Sequence, residues 1–135
     1  MSVPRFLLET STAIEVLRGR RPDLRSRFNE SVGELATSSV VLFELTDGAR
    51  RASVPDRVQR RVTWMMGLLP VLDFGEAAAS HAAEIRAGLE LAGTPIGAYD
   101  TLIAGHARSL GLVVITENTR HFEQIPGLRC SSWRD

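Results

Sequence analysis

The chain has 135 residues, 44% apolar and 24% charged, with a formal net charge of zero, the size and balance expected of one domain spanning 1–135. No apolar run approaches the about 20 residues that cross a bilayer, and no signal-peptide pattern opens the chain, so a cytoplasmic protein with no membrane contact is expected. All sixteen basic residues are arginine, which excludes Schiff-base and Walker-lysine chemistry, while the lone Cys130 excludes an internal disulfide or a multi-cysteine zinc site.

Arg5–Glu9 reads as a short buried strand. Thr12-Ala-Ile-Glu15 has capping-box spacing, which predicts a helix with Ser11 or Thr12 as its N-cap and Gly19 as its stop. Pro22 opens a second helix to about Ser31. Glu34–Ser38 reads as a second strand, and Ser38 or Ser39 caps a third helix carrying Val41, Leu42 and Leu45 to about Ala52. Pro55 starts a fourth helix whose apolar stripe is Val58, Val62, Met65 and Leu68. Pro70–Asp73 is a third strand.

Gly75–Ala92 predicts a long helix with Ala79, Ala82, Ala83, Ile85, Leu89 and Leu91 on or near its buried side. Gly93–Gly97 is a loop, and Ala98–Leu110 a helix stopped by Gly111. Leu112–Thr116 is strongly β-prone, Thr119–Phe122 is a helical turn, and Leu128–Ser131 is a last strand holding Cys130 as a buried residue. Strands that alternate with helices predict an α/β fold with a mainly parallel sheet covered on both faces. Such sheets take ligands at the carboxyl ends of their strands, where Glu9 and Thr116 fall.

Four positions stand where an apolar run ends or a helix begins: Glu9, Glu44, Asp100 and Asn118. A carboxylate beside an apolar run is costly unless something pairs with it. Four such positions, far apart in sequence, point to one shared site for a divalent cation. Asp100 falls in the first turn of its helix, where the dipole favours an anion. Thr10 and Thr116 are placed to hydrogen-bond the carboxylates or a phosphate. Mutual repulsion is expected to raise the proton affinities of Glu9, Glu44 and Asp100.

Arginines cluster at 18, 20, 21, 25 and 27, and again at 50, 51, 57, 60 and 61. They read as solvated helix faces, with phosphate contact as the alternative. Of the three histidines, His106 reads as a core or helix-contact residue. His121 falls near the proposed site, but Arg120 is the better candidate for a phosphate contact.

The segments LLETSTAIEVLRG, TSSVVLFELTDGARR, GTPIGAYDTLIAGHARSLG and LVVITENTRHFEQIPGLRCSSW, in this order, resemble PIN-domain ribonucleases, and among them the VapC toxins of bacterial toxin–antitoxin pairs. The resemblance covers nearly the whole chain and is most specific from Gly93 to Trp133. It implies a three-layer α/β/α PIN-like sandwich and an endoribonuclease that uses Mg²⁺ or Mn²⁺. It also implies a VapB-type antitoxin partner, a homodimer, and tRNA or ribosomal RNA cut within structured loops. Trp64–Leu69 and the first helices offer surfaces for the dimer and the antitoxin.

The resemblance makes Glu9, Glu44 and Asp100 metal ligands. Asn118 becomes the fourth corner of the catalytic set, and Thr10, Ser11, Thr116 and Glu117 are supporting residues. Either Asn118 or the adjacent Glu117 completes the site, and Glu117 is otherwise expected to face solvent. Relatives usually carry Asp where Glu9 stands, followed by Thr and then Ser or Asn. The extra methylene moves the carboxylate by roughly one bond length, and a misplacement of about 1 Å can lower a rate about 10²-fold. A weakened or silent PIN module that binds antitoxin or RNA is therefore the alternative. A phosphoacceptor receiver domain is excluded, because the chain lacks both the acidic doublet and the lysine.

Overall fold

The apolar run Phe6–Leu8 forms β1, the middle strand of a five-stranded sheet in a computed structural model that describes residues 3–134. In chain order there follow α1 (Thr10–Arg18), α2 (Pro22–Ser31), a 3-10 turn (Val32–Glu34), β2 (Leu35–Ser38), α3 (Ser39–Arg50) and α4 (Pro55–Met66). Then come β3 (Val71–Leu72), α5 (Glu76–Leu91), α6 (Ala98–Leu110), β4 (Val113–Ile115), α7 (Thr119–Phe122) and β5 (Cys130–Ser131). The strand order is β3-β2-β1-β4-β5 and every pairing is parallel. Parallel strands need crossover helices, and these cover the sheet as a three-layer α/β/α sandwich. No helix among the described residues is long and apolar enough to cross a membrane.

Local chemistry explains most element ends. Gly19 and Gly111 both take φ of 68°, the left-handed conformation that closes α1 and α6. Pro22 and Pro55 stand in the first turns of α2 and α4, where a missing N–H removes no bond. Ser38 caps α3 by accepting from the Val40 N–H at 3.0 Å.

Four expectations are corrected. The N-cap of α1 is Glu9, not Ser11 or Thr12. Its extended backbone (φ −90°, ψ 160°) runs from strand to helix with no loop, and its carboxylate accepts from the Ser11 N–H. No capping box forms, and Thr12 Oγ1 is buried without a partner. The buried stripe of α5 is Ala78, Ala82, Ile85 and Leu89, while Ala79, Ala83 and Leu91 are exposed. On α4, Val62 and Met65 are buried, but Leu68 lies beyond the helix end and is exposed; Leu69 enters the core instead. Cys130 is half-buried rather than buried.

The core joins Leu7 and Leu8 of β1 to Leu35, Phe28, Ile103 and Phe122. The tightest helix contact is α5 on α6. There Gly105 faces Ala82 so closely that an added Cβ would stand 2.5 Å from the Ala82 nitrogen.

Candidate active site

The chain leaves β1 toward β2 on one side, and β4 fills the other side of β1. The carboxyl ends of β1 and β4 therefore bound the point where strand order reverses, the place in an open parallel sheet where a crevice forms. Leu8 pairs with Ile115 in register, so the next residues, Glu9 and Thr116, meet at that point. The Glu9 N–H donates to the Ile115 carbonyl at 3.0 Å. Thr116 Oγ1 donates to Glu9 Oε1 at 3.1 Å, and the Ser11 N–H donates to Oε2. Ser11 Oγ lies 3.3 Å from Thr116 Oγ1 and accepts from the Glu117 N–H at 2.9 Å.

Glu9 is 1% exposed. Burial is the main reason that its carboxyl is pushed up to about 7. The Ser11 and Thr116 hydrogen bonds act against that rise, and the charge of Asp100 adds to it. Glu44, half-buried on α3, accepts from Thr10 Oγ1 at 2.6 Å. Its carboxyl also lies above the ordinary range, first through burial and then through Asp100, with the Thr10 bond opposing. Mutual repulsion was the expected cause of these rises; burial is the larger one, because the strand end and helix bury the carboxyls before the charges meet.

Asp100 sits in the first turn of α6, its side chain 23% exposed, with His121 Nδ1 at 3.4 Å from Oδ2. Sequence reasoning set His121 aside. Its contact with Asp100 depends on α7 following β4 at the same sheet edge as the start of α6, and neither neighbour is local in sequence.

Asn118 is exposed, and its side chain makes no cap bond on α7. It contributes main-chain bonds: its N–H donates to Thr116 Oγ1 at 2.9 Å, and its carbonyl accepts from His121 N–H at 3.0 Å. Glu117 does not face solvent. Its side chain is 10% exposed and forms ion pairs with Arg134 and, at 3.7 Å, with Arg21. Those arginines come from opposite ends of the chain, so the reason lies outside any local pattern. Arg120 is exposed and forms no ion pair among the described residues. His106 is a core residue as expected, with Nδ1 2.8 Å from Ser38 Oγ and Phe74 edge-on at 5.5 Å. Burial lowers its pKa, so the ring is neutral.

The donors at this edge are carboxylate and hydroxyl oxygens, the ligands that a hard divalent cation prefers. Among the described residues no three acidic, histidine or cysteine side chains converge on one point closely enough to hold an ion together. Magnesium is commonly held through one or two carboxylates with several waters retained, and the arrangement fits that mode. Asp100 exerts its field on both Glu9 and Glu44, so a cation bound at this edge would relieve all three.

The PIN domain family model matches residues 6–128. The chain is 43% identical over 129 residues to the tRNA(fMet)-specific endonuclease VapC of Salmonella typhimurium, covering 96% of this chain and 98% of that protein. It is 41% identical, with the same coverage, to the tRNA(fMet)-specific endonuclease VapC of Shigella flexneri. Its fold matches a chain in the crystal structure of DNA-bound VapBC from Salmonella typhimurium with a TM-score of 0.91 at 43% identity, over 96% of this chain and 98% of that one. With the acidic crevice at the β1–β4 reversal, these matches assign the chain to the PIN-domain ribonucleases, within the VapC toxin family of VapBC toxin–antitoxin systems.

Proposed function

We propose that this protein cuts tRNA as the toxin of a VapBC-type pair, with Glu9, Glu44 and Asp100 holding Mg²⁺ or Mn²⁺ at the carboxyl edge of the sheet, in part through the waters that the ion retains. Family membership implies divalent-metal dependence. The observation that carries the residue assignment is geometric: Thr116 and Ser11 hold Glu9 at the end of β1, and the next residue, Thr10, donates to Glu44 of α3 at 2.6 Å. The substrate class follows the names of the two relatives above 40% identity.

When bound, the ion supplies charge neutralisation at a phosphate and a more acidic water. Everything else is the work of this chain's residues. Thr116 and the Ser11 N–H orient Glu9, and Thr10 orients Glu44. Asp100 stands in the first turn of α6, beside His121. Glu9, with its carboxyl near 7, holds either a proton or a cation in the neutral range. Asn118 supports the corner through its main-chain bonds to Thr116 and His121, and its side chain stays free for water or substrate. Arg120 offers a planar fork to a phosphate.

The proposed partner is a VapB-type antitoxin, on a toxin that forms a homodimer. A groove of about 260 Å³ between α1, α3 and α4 supports a bound peptide, being lined by Ile14, Leu17, Leu45 and Val62 and reaching Glu44. An antitoxin arginine entering the acidic edge would compete with the metal for the same charge.

Glu9 also supports an attenuated enzyme. Its longer side chain folds back to cap its own helix and is almost fully buried. The antitoxin-free protein should be incubated with tRNA and Mg²⁺ or Mn²⁺, beside EDTA, Asp100→Asn and Glu9→Asp. Discrete cuts that vanish with EDTA and in Asp100→Asn support the nuclease. A faster Glu9→Asp supports attenuation, and no cleavage by any version sinks the nuclease reading on tRNA.

A further inference from the structure

The chain carries three half-exposed aromatic side chains among its described residues, and two of them touch each other beside the acidic edge. Phe43 is 50% exposed, Tyr99 is 47% exposed, and their ring centroids are 5.4 Å apart at an interplanar angle of 55°. The third, Trp64, is already covered by the Arg25 guanidinium at 4.8 Å and by Phe28 at 5.9 Å. Phe43 directly precedes Glu44 on α3, and Tyr99 directly precedes Asp100 on α6. The two helices thus repeat one arrangement, an exposed ring followed at once by a carboxylate of the proposed set.

Successive Cα atoms are about 3.8 Å apart. Successive helix side chains point in different directions, so the rings stand beside the carboxylates rather than over them. Apolar rings left half in water and packed on each other form a surface that a flat apolar face can cover. Unstacked nucleobases are recognised by such rings.

We propose that Phe43 and Tyr99 form a stacking platform for a single-stranded nucleobase next to the phosphate held by the acidic edge. This rests on the proposed nuclease reading, and adds to it how the RNA strand is gripped. A base flanking a phosphate in the crevice lies within a residue's length of both rings. A second copy of this chain would bury the same pair, but that occupant gives no reason for each ring to precede a carboxylate. The platform accepts any base face, because stacking tolerates sequence. It requires the target to be unpaired at that position, which makes it a selector for loops over duplex.

The test is equilibrium binding of a single-stranded oligoribonucleotide containing 2-aminopurine to the protein in Ca²⁺, a hard cation for oxygen ligands, with an EDTA arm beside it. Sedimentation velocity and metal-dependent tRNA cleavage run in parallel. Wild type should quench the fluorescent base on binding. The Phe43→Ala/Tyr99→Ala double variant should bind about tenfold more weakly and lose the quench. Phe43→Tyr and Tyr99→Phe keep a ring at each place and should retain both. Cleavage by the double variant should show a raised KM with little change in kcat.

If the double variant binds, quenches and cleaves like wild type while wild type cuts with metal, the platform fails and the nuclease stands. If wild type binds with a ring-dependent quench but never cleaves, the platform stands and the nuclease fails. Absence of both binding and cleavage overturns both. A smaller assembly for the double variant than for wild type makes the pair a contact between two copies and overturns the platform.

Discussion

The α5–α6 contact and the carboxyl edge of the sheet are both tightly buried, but they are built in opposite ways. At the first, atoms are left out: Gly105 has no side chain, and the backbone at Ala82 fills the space. At the second, polar atoms are brought in: Glu9, Thr10, Thr116 and Ser38 are all buried, and each is hydrogen-bonded. At Gly105 and Ala82 the helices gain close packing without charge, while the Arg108–Glu84 ion pair joins the same two helices elsewhere. The sheet edge holds a carboxyl that burial pushes toward neutrality. One region serves stability alone, whereas the other keeps groups that a purely stable fold would not.

Asp100→Asn should separate the two regions most sharply. It removes a charge that acts on both Glu9 and Glu44, and should lower metal-dependent RNA cleavage about 10²–10³-fold, a range typical for losing one group that stabilises transition-state charge. Thermal unfolding should barely move, since Asp100 is partly exposed.

Glu9→Gln tests the edge through pH. A carboxyl raised from 4.5 to about 7 binds its proton more tightly in the folded state. Its contribution to stability is therefore full below about 4.5 and lost as pH rises through about 7. The total is about 3 kcal/mol. In EDTA the wild type should lose stability relative to Glu9→Gln between pH 5 and 8. Mg²⁺ should restore part of it at pH 8 in the wild type only. Parallel melting curves for the two proteins across this range would show that Glu9 is not buried as a strained acid. The comparison with Glu9→Gln is needed because neutral buried His106 acts with the opposite sign, stabilising as pH rises.

Gly105→Ala attacks the other region. A methyl group 2.5 Å from a backbone nitrogen forces the helices apart. The variant should be destabilised by about 1–3 kcal/mol in urea unfolding, while surviving folded protein keeps its metal affinity. Ser38→Ala, which removes a helix cap and the His106 partner together, should be milder, at about 1 kcal/mol. Equal melting of Ser38→Ala and wild type would mean that the cap contributes little beside sheet burial.

The parts of this molecule readable from sequence are those with local causes. The helix Ala98–Leu110 follows from one amphipathic run and the glycine after it, and Thr119–Phe122 was equally plain. The α5 stripe was misphased because alanine-rich positions offer little hydrophobic contrast. Ala78 and Ala79 look alike until Ala82 is pinned against Gly105. At the site, the two threonine–carboxylate bonds matched the sequence reading. The cap role of Glu9 did not, because it depends on a strand running straight into a helix. Glu117 was misread because its arginine partners lie 96 residues before it and 17 after it in the numbering of the chain. His121 was undervalued for the same reason: the start of α6 supplies its partner.

The bond from Thr116 to Glu9 joins residues 107 apart in sequence. A ribosome adding 5–20 residues per second needs about 5–20 s to travel that distance. Throughout that interval the emerging chain carries Glu9, and for its later part Glu44 as well, without the strand that completes the crevice. The toxin is thus assembled last-piece-last. Its acidic edge closes only after β4 has been made, so a chain still short of β4 cannot hold its carboxylates in place.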